Sequence, residues 1–316
     1  MVAGMFVAAL PELPPWIVAQ QPPDGRRRLV DVGGGVAMHV QEWGPPDGRV
    51  VLLVHGNPTW SFLWRKVIAE LRGHAAGAAL RLIAPDLVGL GFSSKPRDLG
   101  VHAIAQHGAW LGAVLDQLAP GQPMVLCAQD WGGAIGLDTF LARAAQLRGV
   151  VLGNTAVSPP APDFKPTLFH RLSQVPLASD LLFRGLGFPL GLLHTSQGDP
   201  SSIRGEVARA YRWPLRHARD RAAPLALARM VPDGSAHRSV PELRKIEALF
   251  AGIQVPVALV WGTRDPILGR VINHLARLRP DATITRTAAG HFLQEEVPAV
   301  LADAVLEVAG RASWAA

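Results

Sequence analysis

Val50–Val54 is apolar at every position, and similar runs recur at Leu80–Ala84, Met124–Ala128, Val150–Leu152, Val257–Trp261 and, more weakly, Thr283–Thr287. A strand that alternates apolar and polar residues hides one face, whereas a strand without alternation is buried on both. Helical periods separate several of these runs: Trp60–Leu71 precedes the second, Ile104–Leu118 the third and Trp131–Leu147 the fourth. Strand–helix alternation of this kind specifies a mostly parallel α/β sheet with helices on both faces. Two further strands, Leu29–Val32 and Val36–Trp43, flank Gly33-Gly34-Gly35, a hairpin signal, so eight strands are expected. Residues 11–27, rich in Pro and Gln, read as an irregular lead-in.

The alternation stops after Val150–Leu152. Residues 156–232 hold many prolines, no buried-strand run, and helical stretches such as Pro166–Leu172 and Pro224–Met230. The sheet pattern resumes with a helix at Pro241–Ala251 and the strand at Val257. The expected division is therefore a core over 1–155 and 233–316, interrupted by a helical cap over 156–232. In open α/β folds ligands bind at the carboxyl edge of the sheet, where such an insertion forms a natural lid.

Composition removes several classes of function. Hydrophobic residues are 49% and charged residues 18% of the 316, which excludes a disordered chain. One Cys excludes a disulfide framework and a Cys-based metal site. The net charge of +6 would suit a polyanion if it were concentrated. The only tight basic run is Arg26-Arg27-Arg28, with a loose group at Arg212, Arg216, Arg219 and Arg221. No nucleic-acid motif accompanies them, so solvated surface charge and no nucleic-acid partner are expected. No apolar run approaches the ~18 residues of a membrane span. Val2–Leu10 is short, lacks a basic lead and runs into Pro11, Pro14 and Pro15. A cytoplasmic protein with no signal peptide and no membrane partner is expected.

Three groups fall at ends of expected strands, where a parallel sheet presents functional side chains. Cys127-Ala128-Gln129-Asp130-Trp131-Gly132-Gly133 follows the third helix-flanked run and has the small residues of a nucleophile elbow, with Asp130 in the usual serine place. His55-Gly56-Asn57-Pro58 follows Val50–Val54, in the loop that supplies an oxyanion-hole N–H in this kind of fold. Trp261-Gly262-Thr263-Arg264-Asp265-Pro266 follows the Val257 strand, and Gly290-His291-Phe292 follows the last. Each has a plain reading alone: Asp130 as a helix cap, His55–Pro58 as a turn, His291 as a core histidine. Together they give the chain order nucleophile, acid, His, which is that of α/β-hydrolases.

Three stretches closely resemble the haloalkane dehalogenases: His55-Gly56-Asn57-Pro58-Thr59-Trp60, Gln129-Asp130-Trp131-Gly132-Gly133 and Ala289-Gly290-His291-Phe292-Leu293-Gln294-Glu295. The similarity runs from about Arg28 to the C-terminus and is weakest in the insertion. Asp86-Leu87-Val88-Gly89-Leu90-Gly91 also matches but is common to much of the fold. The resemblance implies an α/β-hydrolase fold and a two-step reaction needing no cofactor and no metal. Asp130 would displace halide from carbon and hold an alkyl ester; an aspartate is already an anion at neutral pH and needs no base to attack. His291 would activate water against that ester, oriented by Asp265. The backbone N–H groups of Trp131 and Asn57 would form the oxyanion hole. Side-chain donors of the same two residues, Trp131 and Asn57, would hold the halide, which needs hydrogen bonds but no proton. Asn154 follows the Val150 strand, where some relatives carry a catalytic Glu, so the chain resembles the subfamily with an Asp-His-Asp triad and an Asn–Trp halide pair. The implied partners are a small apolar halogenated substrate, water and halide; a homo-oligomer is compatible with this.

The nearest rival chemistry is epoxide hydrolysis, which shares the Asp elbow. Its alkoxide leaving group is a strong base, typically protonated by two lid tyrosines, and Tyr211 is the only tyrosine of the chain. Fluoroacetate dehalogenases place arginines just after the nucleophile, where this chain has Trp131, Gly132, Gly133 and Ala134. A non-catalytic ligand-binding protein on the same fold remains the alternative outside enzymes. Phe164, Phe169, Leu172, Phe183 and Leu193 are apolar candidates for a dry lid pocket or for packing of the lid on the core. Trp60 and Trp64 are expected in the core.

Overall fold

The computed structural model describes residues 9–161 and 168–314. Phe164 lies outside them, as does the side chain of Phe169 and most of the apolar stretch from Val2. Eight strands form one sheet: β1 Arg26–Asp31, β2 Ala37–Trp43, β3 Arg49–Val54, β4 Leu80–Pro85, β5 Met124–Gln129, β6 Leu147–Gly153, β7 Val257–Gly262 and β8 Thr283–Thr287. Their order is β1-β2-β4-β3-β5-β6-β7-β8. β2 runs antiparallel to β1 and β4, and every other pairing is parallel. The expected hairpin is present, with Gly33, Gly34 and Gly35 all at positive φ.

Burial explains the unbroken apolar runs. Val50, Leu52 and Val54 belong to one core layer, while Val51 and Leu53 belong to the other. Leu126 and Cys127 divide in the same way, because successive side chains point to opposite faces. Helices Ile104–Leu118, Trp131–Leu141 and Val240–Gly252 supply apolar faces to the first layer, and Arg65–Gly73 and Pro298–Arg311 to the second. Each fully buried Leu or Val contributes about 1.5–3 kcal/mol. Trp60 and Trp64 are both buried, as expected.

Element boundaries moved where two elements abut. The helical period read as Trp131–Leu147 ends at Leu141; Ala144–Gln146 form a short 3-10 turn and Leu147 already begins β6. The lead-in carries one short helix, Pro15–Val18, and β1 starts at Arg26. Between β6 and the Val240–Gly252 helix the described residues form helices and no strand. Among them are Leu168–Ser173, the π-helix Asp180–Gly185, Gly205–Arg212 and Ala222–Arg229. Leu172 is exposed rather than pocket-lining, while Phe183 and Leu193 are buried in packing. The strand order reverses direction around β3, with β4 on one side and β5 on the other. The loops leaving β3 and β5 therefore meet at the sheet's switch point, where α/β folds hold ligands.

Candidate active site

Asp130 sits one residue beyond β5 at φ 52°, ψ −132°, a conformation that L side chains rarely adopt. Such a turn projects the carboxylate out of the sheet edge, and it leaves no room beside it. A Cβ on Gly132 would overlap the Val54 carbonyl, and one on Gly56 would overlap the Asp130 carboxylate itself. These close approaches give the two glycines their physical reason.

The Asp130 carboxylate has two different neighbours. Its Oδ1 accepts the Asn57 backbone N–H at 2.7 Å, and its Oδ2 lies 3.5 Å from His291 Nε2. His291 Nδ1 lies 2.8 Å from Asp265 Oδ2. Asp265 in turn accepts the Ile267 N–H at 2.7 Å and the Asn154 side-chain amide at 2.7 Å. Asn154 also bonds both ways with Gly262, at 2.7 Å and 3.0 Å, so it ties the end of β6 to the end of β7. The three residues singled out in the sequence, Asp130, His291 and Asp265, therefore form one connected chain. Burial alone would lower the His291 imidazole, but the Asp265 charge and hydrogen bonds to Asp130 and Asp265 outweigh it and raise it to about 10. Burial would raise Asp265, yet the facing His291 charge and hydrogen bonds hold it below the usual carboxylate range.

Asn57 meets the carboxylate through its backbone N–H, and Trp131 follows Asp130 at the first helical position. The Asn57 side-chain Nδ2 donates to the Pro224 carbonyl of the helical insertion at 3.0 Å. A carbonyl only accepts, so this contact fixes which way the amide faces. One N–H of that amide remains, while its Oδ1 is buried without a partner. Trp131 is partly buried against the core, and its indole N–H meets no protein acceptor among the described residues. Its backbone N–H stands at the first helical position, and among the described residues the Asn57 N–H is the one backbone donor to the Asp130 carboxylate.

Several residues support the site without facing the Asp130 carboxylate. His55 is fully buried and accepts the Leu87 N–H on Nε2 at 2.9 Å, so its Nδ1 donates to the Gly56 carbonyl at 2.9 Å. Burial keeps this ring neutral, against weaker attraction from Asp86. It shapes the loop and does not face the carboxylate. Asp86 holds the entry to the next helix through the Ser61 N–H at 2.8 Å and pairs with His39 at 2.9 Å. Gln197 of the insertion clamps the His291 loop, accepting the Phe292 N–H at 2.8 Å and donating to its carbonyl at 3.1 Å. Tyr211, the lone phenol, is fully buried and donates to Glu295 at 2.5 Å. It stands outside the carboxylate's surroundings.

An Asp elbow, a strand-end His and a strand-end acid on this sheet define an α/β hydrolase, and the Alpha/beta hydrolase family model matches residues 51–304. The chain is 30% identical over 272 residues to a haloalkane dehalogenase of Mycolicibacterium paratuberculosis, covering 85% of this chain and 86% of that one. It is 29% identical over 294 residues to a cis-3-alkyl-4-alkyloxetan-2-one decarboxylase of Xanthomonas campestris pv. campestris, covering 88% and 94%. The crystal structure of haloalkane dehalogenase DbeA from Bradyrhizobium elkani superposes with a TM-score of 0.79 at 25% identity, covering 91% of this chain and 98% of that one. The chain belongs to the haloalkane dehalogenase family of α/β hydrolases, enzymes that act on carbon–halide bonds.

Proposed function

We propose that this protein hydrolyses small apolar haloalkanes to an alcohol, halide and a proton through an alkyl ester on Asp130. The observation that carries the reading is the divided carboxylate, with Oδ1 on the Asn57 N–H at 2.7 Å and Oδ2 3.5 Å from His291 Nε2. A lone pair of the carboxylate forms the bond to carbon as the carbon–halogen pair leaves with the halide. The Trp131 indole N–H and the remaining Asn57 amide N–H are the donors for that anion.

Ester formation removes the negative charge of Asp130, one of the causes that raise His291. The imidazole then falls towards the range of a general base, with Asp265 still orienting it. His291 takes a proton from water as the water oxygen attacks the ester carbonyl carbon. The oxyanion meets the Asn57 N–H, and a small shift of the elbow would bring in that of Trp131. Collapse breaks the acyl bond, the alcohol leaves with a proton, and the carboxylate returns; one water is consumed and one acid released. Residues 156–232 serve as the cap that keeps bulk water from the first step, held over the site through Asn57–Pro224 and Gln197–Phe292.

A second reading is favoured by the oxetanone decarboxylase relative, which is about as similar as the dehalogenase. Attack of Asp130 on the ring carbon of a four-membered lactone expels a carboxylate, which like a halide needs donors and no proton. Loss of carbon dioxide with departure of Asp130 would then give an alkene without water. A panel of bromoalkanes and an alkyl-substituted oxetan-2-one separates the two readings. Bromide release abolished in Asp130→Ala supports the first; carbon dioxide release without bromide release replaces it with the second.

A further inference from the structure

Leu177, Leu181 and Leu186 are 85%, 65% and 74% exposed, a concentration of apolar surface that isolated surface leucines do not make. Their spacings of four and five residues follow the turn of the π-helix, with Leu181 N–H bonded to Leu177 O and Leu186 N–H to Leu181 O, each at 2.9 Å. Leu181 lies within the π-helix and Leu177 and Leu186 flank it, all three exposed, while Phe183 of the same helix is buried with Leu225 and Ala228. Leu177 also holds φ 63°, a left-handed conformation that a leucine rarely adopts. Val175 and Leu172, 45% and 38% exposed, extend the patch.

Arginines begin where the leucines end. Leu186 borders a notch of about 210 Å³ whose other walls include Leu190, Arg212, Arg216 and Arg221. Arg221 is anchored beside the loop by the Arg184 and Gly185 carbonyls, at 3.1 and 2.9 Å. None of Arg212, Arg216 and Arg221 has a carboxylate within ion-pair distance among the described residues. Residues 156–232 carry ten Lys and Arg against five Asp and Glu, so +5 of the chain's +6 resides in this insertion.

We infer that this face of the cap docks onto an anionic lipid bilayer surface, the leucines entering the acyl boundary and Arg212 and Arg216 taking lipid phosphates, while Arg221, bonded to four backbone carbonyls, holds the notch together. Protruding leucines fit a deformable apolar medium, and guanidinium groups fit phosphate bidentately. A second copy is the poorer occupant, because two like arginine-edged faces would repel one another. Among the described residues no helix is long and apolar enough to cross a membrane, so the attachment is peripheral. The docking stands independently of the reaction; only its consequence, supply of an apolar substrate dissolved in the bilayer, rests on the dehalogenase reading.

The test is co-sedimentation of the full chain with vesicles of phosphatidylglycerol and phosphatidylcholine in roughly equal parts, against pure phosphatidylcholine. The protein should pellet with the first and stay in solution with the second, and high salt should release it. Arg212→Ala and Arg216→Ala should each weaken binding roughly fivefold. Leu177→Ser with Leu181→Ser and Leu186→Ser should weaken it at least about tenfold, with the melting curve of each variant confirming that it folds. Equal pelleting with both vesicles, no pelleting with either, or a dimer in sedimentation velocity that the leucine variant dissolves would each overturn the inference. None of these readouts depends on halide release.

Discussion

His291 is the residue whose state most depends on its surroundings. Its folded pKa of about 10 lies above the unfolded 6.5, so the folded protein binds this proton more tightly. The resulting stability is fully present below about 6.5 and is lost as pH rises towards 10. Urea unfolding of the native chain should therefore weaken across that window more steeply than that of His291→Gln; parallel pH dependences would remove the paired imidazolium from the account. The same variant should form the alkyl ester but turn over roughly 100- to 10,000-fold more slowly. Mass spectrometry should find the alkyl adduct accumulated on it, and an unmodified protein would count against the two-step scheme. The strand-end placing of Asp130, His291, Asp265, Asn57 and Trp131 could be read from the sequence, because it is a local property, whereas the roles proposed for Asn57 and Trp131 rest on the family resemblance. The Asn154 bond to Asp265 could not be read there: the sequence showed only that Asn154 could not be an acid.

At the scale of elements, the short segments that leave the strands decide the geometry. Gly132→Ala would drive a methyl group into the Val54 and His55 carbonyls. We expect a loss of about 1–3 kcal/mol in unfolding free energy together with reduced activity. Full activity in that variant would show that the elbow tolerates a Cβ. Gln197→Ala leaves the buried Phe292 N–H without its partner, while the Phe292 carbonyl keeps the Glu295 N–H at 3.0 Å, so the cost should be about 1–3 kcal/mol by thermal or urea unfolding. The strands and several of the helices between them were readable from apolar periods, except where one element ran into the next; the helices Gly205–Arg212, Ile272–Leu278 and Pro298–Arg311 were not read. The stretch from Arg143 to Leu147 continues a helical period in composition, yet sheet pairing of Leu147 with Met124 takes that residue into β6. Registry with a neighbouring strand is not written in any one window of sequence.

The whole molecule joins insertion to core through buried polar contacts. Glu295 is reached by Arg65 at 2.5 and 2.9 Å, by Lys66, and by Tyr211 from the insertion. Beside this network the Trp60 indole donates to the Ala210 carbonyl at 3.2 Å. Arg65→Ala would strand a buried carboxylate and should cost about 3–5 kcal/mol in urea unfolding; a change below 1 kcal/mol would mean that Lys66 and Tyr211 suffice. Tyr211 shows where sequence reasoning stops. Its count excluded a two-phenol acid, but its role as a tie between insertion and core needed Glu295, 84 residues away, to be brought to it. The scattered arginines likewise read as solvated charge until the fold gathered three of them beside exposed leucines. The sequence alone determined the alternation of strands and helices and the chemical groups at the strand ends, since periodicity and residue type act locally. Only the tertiary structure decided their partners, because a hydrogen bond between distant residues exists only once the sheet order has chosen which strand ends meet.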